Sequence, residues 1–343
     1  MIKLSPITAE VKVKTVDKID HKLLYYLHYN ARTPLSKLAK NIGISKQNLN
    51  YRLKRLVRLE VIQNFMTVID IHRLGFLTYR IYLRYKNVNE KKEQEIINYL
   101  KNHKNVLWLV SIIGSWDLEI VFVARNYIHF NNIFKKIKED FGAHFSKYNI
   151  SYTIVNYHFK RDYLINQRRE GFSQKYYGFE PKQEYIDKLD VRILLQLSEN
   201  CRQSNQEIGQ KLSVTYHTIK NRIMVMEKKQ IIQTHRITIN LNKLNYHYYK
   251  ALIRLNNPTK EEEKKIYTFC SQYNFVTYLV EIIGEWQFEV ECEVENQNQF
   301  IDFLRKLRNH FPELILDYDM IQITKEHKLN YFPTAEETLK QMG

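Results

Sequence analysis

At 343 residues, 44% hydrophobic and 26% charged, the chain is long enough for several small domains with cores of their own. No apolar run reaches the roughly 18 residues of a membrane span, and the opening MIKLSPITAEVKVK lacks the apolar stretch of a signal peptide. Cys201, Cys270 and Cys292 lie too far apart for a disulfide framework or a metal clip, so a cytoplasmic protein with neither metal nor cofactor is expected. The net charge of +16 is uneven. Residues 1–170 hold 30 Lys and Arg against 14 Asp and Glu, whereas residues 171–343 hold 23 of each. A basic half of this size suggests a polyanionic partner, with a solubilising surface as the alternative.

Displaced by 170 residues, the chain matches itself. VDKIDHKLLYYL (16–27) falls on IDKLDVRILLQL (186–197), and IIGSWDLEIVFVARN (112–126) on IIGEWQFEVECEVEN (282–296). From 16 to 134 no gap is needed, and 27 of 119 positions are identical. A tandem duplication of a unit of about 145 residues follows.

In chain order, a tail (1–14) precedes a first helix with Asp17 as its cap, Asp20 in its first turn and Leu23, Leu24 and Leu27 as its apolar stripe. Thr33-Pro34 reads as an N-cap followed by proline at the first helical position. The helix LSKLAKNI then ends at Gly43, and Ser45 caps a third helix whose Leu49, Leu53 and Leu56 share one face. VIQNFMTVID has the size and β character of a wing hairpin. Such a helix-turn-helix puts its last helix N-terminus first into the major groove of double-stranded DNA. Gln47, Asn48 and Asn50 suit base edges. Lys46, Lys54, Arg55 and Arg58 suit phosphates, and Ser45 and Tyr51 share the exposed side. Arg52 fits either a phosphate or an ion pair with Asp20. In the second unit Thr215, Tyr216, His217, Lys220 and Arg222 stand in the corresponding helix. A structural three-helix bundle is the bland alternative.

After each head the order is strand (76–86), helix (89–103), strand (106–113), strand (118–124), helix (127–141), strand (149–159), which is the ferredoxin-like β-α-β-β-α-β arrangement. Its open sheet face needs a partner, so sheets are expected to pair within the chain or between chains. The expected class is α+β: winged helix-turn-helix domains at 15–74 and 185–244 alternate with ferredoxin-like domains at 75–160 and 245–331. A flexible linker (161–184) and a C-terminal tail (332–343) complete the chain. The acidic run Glu285, Glu289, Glu291, Glu293 and Glu295 alternates on one strand and reads as a solvated or inter-subunit face rather than a metal site.

Together the D-x-x-D before the first helix, Asn30 and Arg32, Leu38-Ala39, Gly43-Ile44-Ser45, the arginine and leucines of the third helix, Val61-Ile62 and Gly114-x-Trp116-Asp117 resemble the Lrp/AsnC (feast/famine) family of transcription regulators. The resemblance implies a DNA-binding regulator whose ferredoxin-like modules pair through their sheets and often bind amino acids. A tandem chain then looks like a covalent dimer, with further homodimerisation open. It places an effector pocket near the hairpin residues Gly114, Trp116, Asp117, Gly284, Trp286 and Gln287, for which tight-turn and packing roles are the alternative. The chain departs from the family where Glu60 and Gln230 replace the usual glycine before the wing, and Ser213 replaces Gly43. An enzyme resembling siroheme decarboxylases, built on the same paired units, is a competing reading, although no clustered His/Arg motif stands out. A chromatin architectural protein of low sequence preference is a third.

Overall fold

The computed structural model describes residues 16–167, 175–178 and 183–341; the tail 1–14 lies outside them. The first head is α1 (Lys18–Tyr29), α2 (Leu35–Ile42) and α3 (Lys46–Arg58), followed by strand β1 (Ile62–Ile69). Asp17 caps α1 by accepting from the backbone of Ile19 and Asp20, while the Asp20 carboxylate accepts from the Asp17 N–H. Thr33 does not cap α2. The helix begins one residue later than expected, with Pro34 in the cap position and no side-chain bond. Gly43 adopts the left-handed φ of 82°, and Ser45 accepts from the Asn48 N–H, so α3 starts where the sequence places it.

The first module is β2 (Leu77–Tyr85), α4 (Glu90–Asn102), β3 (Val106–Ile113), β4 (Leu118–Ala124), α5 (Tyr127–Phe141) and β5 (Phe145–His158). A short strand, β6 (Lys175–Gly178), precedes the second head: α6 (Lys188–Glu199), α7 (Asn205–Leu212), α8 (Tyr216–Lys228) and β7 (Ile232–Ile239). The second module is β8 (His247–Leu255), α9 (Lys260–Ser271), β9 (Val276–Ile283), β10 (Phe288–Val294), α10 (Gln297–His310) and β11 (Ile315–Leu329). Helix α11 (Ala335–Gln341) follows.

Both modules have the ferredoxin-like strand order, β5-β2-β4-β3 and β11-β8-β10-β9. Each last strand is long enough to serve two sheets. β5 pairs with β2 through its first half and with β9 through its second; β11 does the same with β8 and β3. The eight strands of the two modules therefore close into one antiparallel barrel within the chain. The helices α4 and α5 cover Tyr79, Ile81, Leu83, Leu109 and Phe122 on the outside of the first sheet.

The stretch after α3 is a single strand, and its partner is its counterpart in the other unit. β1 and β7 form a two-stranded antiparallel ribbon in which Met66 faces Arg236, so the pseudo-twofold axis passes between these two residues. The heads are locked across this axis by reciprocal bonds. Arg32 donates to the carbonyls of Cys201 and Gln203 at 2.6 and 2.9 Å, and Arg202 donates to Ala31 at 2.7 Å. The apolar core of the first head runs into that of the second module, so each head depends on both units.

Two segments expected as loose are packed. Arg161, Asp162, Tyr163 and Leu164 at the start of 161–184 are buried, and β6 extends the sheet beside β5, so the expectation of a flexible coil fails there. The presumed C-terminal tail buries Phe332, Thr334, Ala335 and Thr338, and Glu337 pairs with Arg125 at 2.9 Å. Neither segment carries a regular hydrophobic period, and both are held by single large side chains that periodicity does not register.

Candidate nucleic-acid interface and a central cavity

Burial of Leu49, Leu53 and Leu56 fixes the rotation of α3, and the rest of its surface faces outward. Ser45, Lys46, Gln47, Asn48, Tyr51, Lys54 and Arg58 are exposed and Asn50 half-buried. In α8 the same geometry exposes Thr215, Tyr216, His217 and Lys220 around buried Ile219, Ile223 and Met226. The two faces differ in chemistry. Helix α3 carries Lys46, Arg52, Lys54, Arg55 and Arg58 with no acid, whereas α8 carries Lys220, Arg222 and Lys228 beside Glu227, and exposes Met224 and Val225.

Three of the arginines are engaged inside the heads. Arg52 donates to Asp17 at 2.7 Å and to the fully buried Asp20 at 2.9 Å, and Arg55 also reaches Asp20. Its hydrogen bond to Asp17 above all holds the pKa of Arg52 above the ordinary arginine value. Arg222 repeats the arrangement in the second head with Asp187 at 2.7 Å and Asp190 at 3.2 Å. These side chains tie the third helix to the first.

The hairpin residues serve the fold. Asp117 accepts from the Tyr85 N–H at 2.7 Å and Gln287 from the Leu255 N–H at 2.7 Å, so both fasten a hairpin to the end of a neighbouring strand. Trp116 and Trp286 fill the barrel interior, edge to face at 6.1 Å. Gly114 has φ of +137°, and a Cβ there would meet the Met320 carbonyl at 2.8 Å; one at Gly284 would meet Ser151 Oγ at 2.7 Å. None of the six lines the cavity described next.

The acidic run is buried, not solvated. Glu289, Glu291 and Glu293 point into the barrel, while Glu285 and Glu295 stay outside. Lys250, fully buried, donates to Glu119 at 2.6 Å and Glu289 at 2.9 Å and lies 3.1 Å from Glu291. Arg80 bridges Glu119 and Glu289 at 2.8 Å each. Burial opposes the charge on Lys250, but Glu119, Glu289 and Glu291 together push its pKa up to about 12.

Between the ribbon and the barrel lies a cavity of about 580 Å³. Its wall includes His28, Arg161, Arg236, His158, Glu291 and Glu293. Arg161 forks onto Glu293 at 2.5 and 2.6 Å and also donates to His28. Arg236 donates to His158 at 2.7 Å and to Tyr278 at 3.2 Å. Burial, then Arg161 and Arg236, lower the pKa of His28 well below the usual imidazole value; burial, then Arg236 and Arg161, do the same for His158. Glu326 lines the cavity and accepts from Trp108 Nε1 at 2.7 Å. This His/Arg cluster was not found from sequence. Its members come from α1, β5, the segment after β5, and β7, with no local spacing to betray them.

Two family models match the heads: winged helix-turn-helix DNA-binding over residues 16–63 and the AsnC-type helix-turn-helix domain over 186–227. An HTH-type transcriptional regulator of Pyrococcus horikoshii is 30% identical over 112 residues, covering 32% of this chain and 75% of that protein. The chain belongs to the AsnC/Lrp family of helix-turn-helix regulators. Another such relative, an HTH-type transcriptional regulator of Pyrococcus furiosus, is 30% identical over 142 residues, 41% of this chain and 89% of its own length. Among solved structures, the siroheme decarboxylase NirDL matches 95% of this chain and 98% of its own with a TM-score of 0.62 at 12% identity. At that identity the match shows that the paired-unit fold is shared. This AsnC/Lrp member has no helix, among the described residues, long and apolar enough to cross a membrane, and no His/Cys/Asp/Glu group of metal-binding kind.

Proposed function

We propose that the chain is a sequence-specific DNA-binding transcription regulator with two non-identical reading heads. The observation that carries this reading is the outward face of α3, polar and basic, set on three buried leucines. In the first head Gln47, Asn48, Asn50 and Tyr51 face base edges, Lys46 and Lys54 face phosphates, and Ser45 stands at the helix N-terminus. In the second, Thr215, Tyr216, His217 and Lys220 take these places with less charge. Arg52, Arg55 and Arg222 act as positioning residues. Two heads locked across a pseudo-twofold axis recognise two unlike half-sites on one face of the duplex.

The test is selection of binding sites from random DNA, followed by affinity at several salt concentrations. An asymmetric enriched motif is expected, with log affinity falling linearly as log salt rises. No enriched motif, together with salt-sensitive binding to any sequence, would leave an architectural protein. No salt-sensitive binding at all would end the DNA reading.

A second reading is an enzyme acting on a tetrapyrrole. It is favoured by the fold shared with a siroheme decarboxylase over nearly the whole chain, together with a His/Arg cluster in the central cavity. Mixing the purified protein with siroheme decides it. A shifted absorbance band and loss of carboxylate from the pigment would support an enzyme, and an unchanged spectrum would remove it.

A further inference from the structure

The duplication supplies a control for the central cavity, because each wall residue has a counterpart on the other side of the pseudo-twofold axis. The offset of 170 holds through most of the barrel: Tyr79 pairs with Tyr152, and Tyr249 with Gln322. Past the extra residue in β11 the offset becomes 171, since His158 pairs with Tyr278 and Leu329 with Trp108. By this correspondence Glu291 and Glu293 match Val121 and Val123. Arg236 matches Met66, His158 matches Leu329, and Arg161 matches Phe332. On that side Met66, Val121, Val123 and Phe332 are buried together in one apolar cluster. The same fold, in the same chain, is thus satisfied by hydrocarbon at positions where the other half buries two arginines and two glutamates.

Burying ions where apolar side chains serve equally well opposes folding, so the fold does not explain the charges. Arg236 is the least compensated of them. It is 4% exposed, it donates to the His158 ring and the Tyr278 hydroxyl rather than to a carboxylate, and its Nε has no acceptor. No carboxylate among the described residues lies within ion-pair distance of it. A buried guanidinium in this state fits an anion that forks onto it. The rest of the wall sets aromatic and aliphatic side chains, Trp108, Tyr246, Tyr248, Ile237 and Ile323, among polar and charged ones such as Arg80, Asn156, Lys325 and Glu326. The volume lies within the roughly 300–1,000 Å³ of metabolite sites.

We infer that this cavity, charged on one side of the axis, is a binding site for an organic anion with a flat apolar body, its carboxylate or phosphate held by Arg236 and its rings against Trp108 and the tyrosines. The site stands whether or not the heads read DNA, so a failed DNA assay leaves it intact. Because β7 supplies both the cavity wall and half of the ribbon between the heads, an occupant touches the element that joins the two readers.

The probe is anilinonaphthalene sulfonate, compared with phenylnaphthylamine, which has the same rings without the anion. Full-length protein should bind the sulfonate with one site per chain and the amine at least tenfold more weakly. Arg236→Met copies Met66, the residue that the ribbon already buries at the equivalent position. It should weaken the sulfonate by about tenfold or more, the loss expected for a charge-assisted pair, and leave the amine unchanged. Equal sulfonate affinity in wild type and R236M overturns the proposal. Should R236M fail to fold, competition on the wild type decides. Naphthoate or naphthyl phosphate must displace the sulfonate and naphthylmethanol must not, and whichever anion competes better identifies the acid group. Displacement by all three alike, or by none, overturns the site.

Discussion

Replacing Arg52 with methionine separates the two roles that its position on α3 allows. In the structure Arg52 spans 2.7 Å to Asp17 and 2.9 Å to Asp20. The Asp17 side chain is 47% exposed, so losing that contact costs roughly 0–1 kcal/mol. Asp20 is fully buried, and a charged hydrogen bond to it is worth about 1.5–3 kcal/mol. Arg55 and the Asp17 N–H still hold Asp20 in the variant, so the carboxylate is not orphaned and the total should stay near 2–3 kcal/mol. Urea unfolding measures this directly. The salt dependence of DNA binding should keep its slope, because a side chain committed to two aspartates neutralises no phosphate. Lys54→Met provides the contrast: stability unchanged within about 0.5 kcal/mol and a slope shallower by about 0.9. If R52M were as stable as wild type and it, rather than K54M, flattened the slope, the ion-pair assignment would be wrong.

Other outcomes follow from the same contacts. Lys250→Met leaves Arg80 as the cation beside Glu119 and Glu289, and Glu291 with the Tyr248 hydroxyl, and should cost about 3–5 kcal/mol in urea unfolding; a cost below 1 kcal/mol would mean that the carboxylates are already protonated. Glu60 sits at φ 57°, a left-handed geometry that costs a non-glycine residue about 1–2 kcal/mol. After the extra chain entropy of glycine, Glu60→Gly should still stabilise by about 0.5–1 kcal/mol, and a lower thermal midpoint would contradict this. Gln230, at φ 56°, is a poorer test because its side chain accepts from Arg73 at 2.6 Å. His28 and His158 have folded-state pKa values below the unfolded one, so the unfolded chain binds protons first as pH falls. Stability should be full above about pH 6.5 and decline below it. His28→Ser, matching Ser198 in the other unit, should shrink that decline, which denaturation across pH 5–8 would show.

Much of the fold was legible because it rests on local rules. The leucines of α3, the caps Asp17 and Ser45, the left-handed Gly43 and the apolar runs of β3 and β4 each act within a few residues, and both strands have the bounds read from the sequence. The internal repeat added the pairing of units, since an open ferredoxin-like sheet has to be covered. The outward residues of α3 could be named from helical period alone.

What the local rules could not reach are the decisions made across the pseudo-twofold axis. Whether β1 turns back as a hairpin or pairs with β7 depends on a strand 170 residues away, and nothing inside VIQNFMTVID distinguishes the two. Arg52 was free to face phosphate or carboxylate until the packing of α1 against α3 brought Asp20 beneath it. The glutamates of β10 alternate as a solvated strand would, and only closure of the barrel sets them against Lys250, Arg80 and Arg161. Periodicity records which side chains share a face. What that face meets is set by contacts distant in sequence, where the cost of burying a charge is either compensated or left for a ligand to meet.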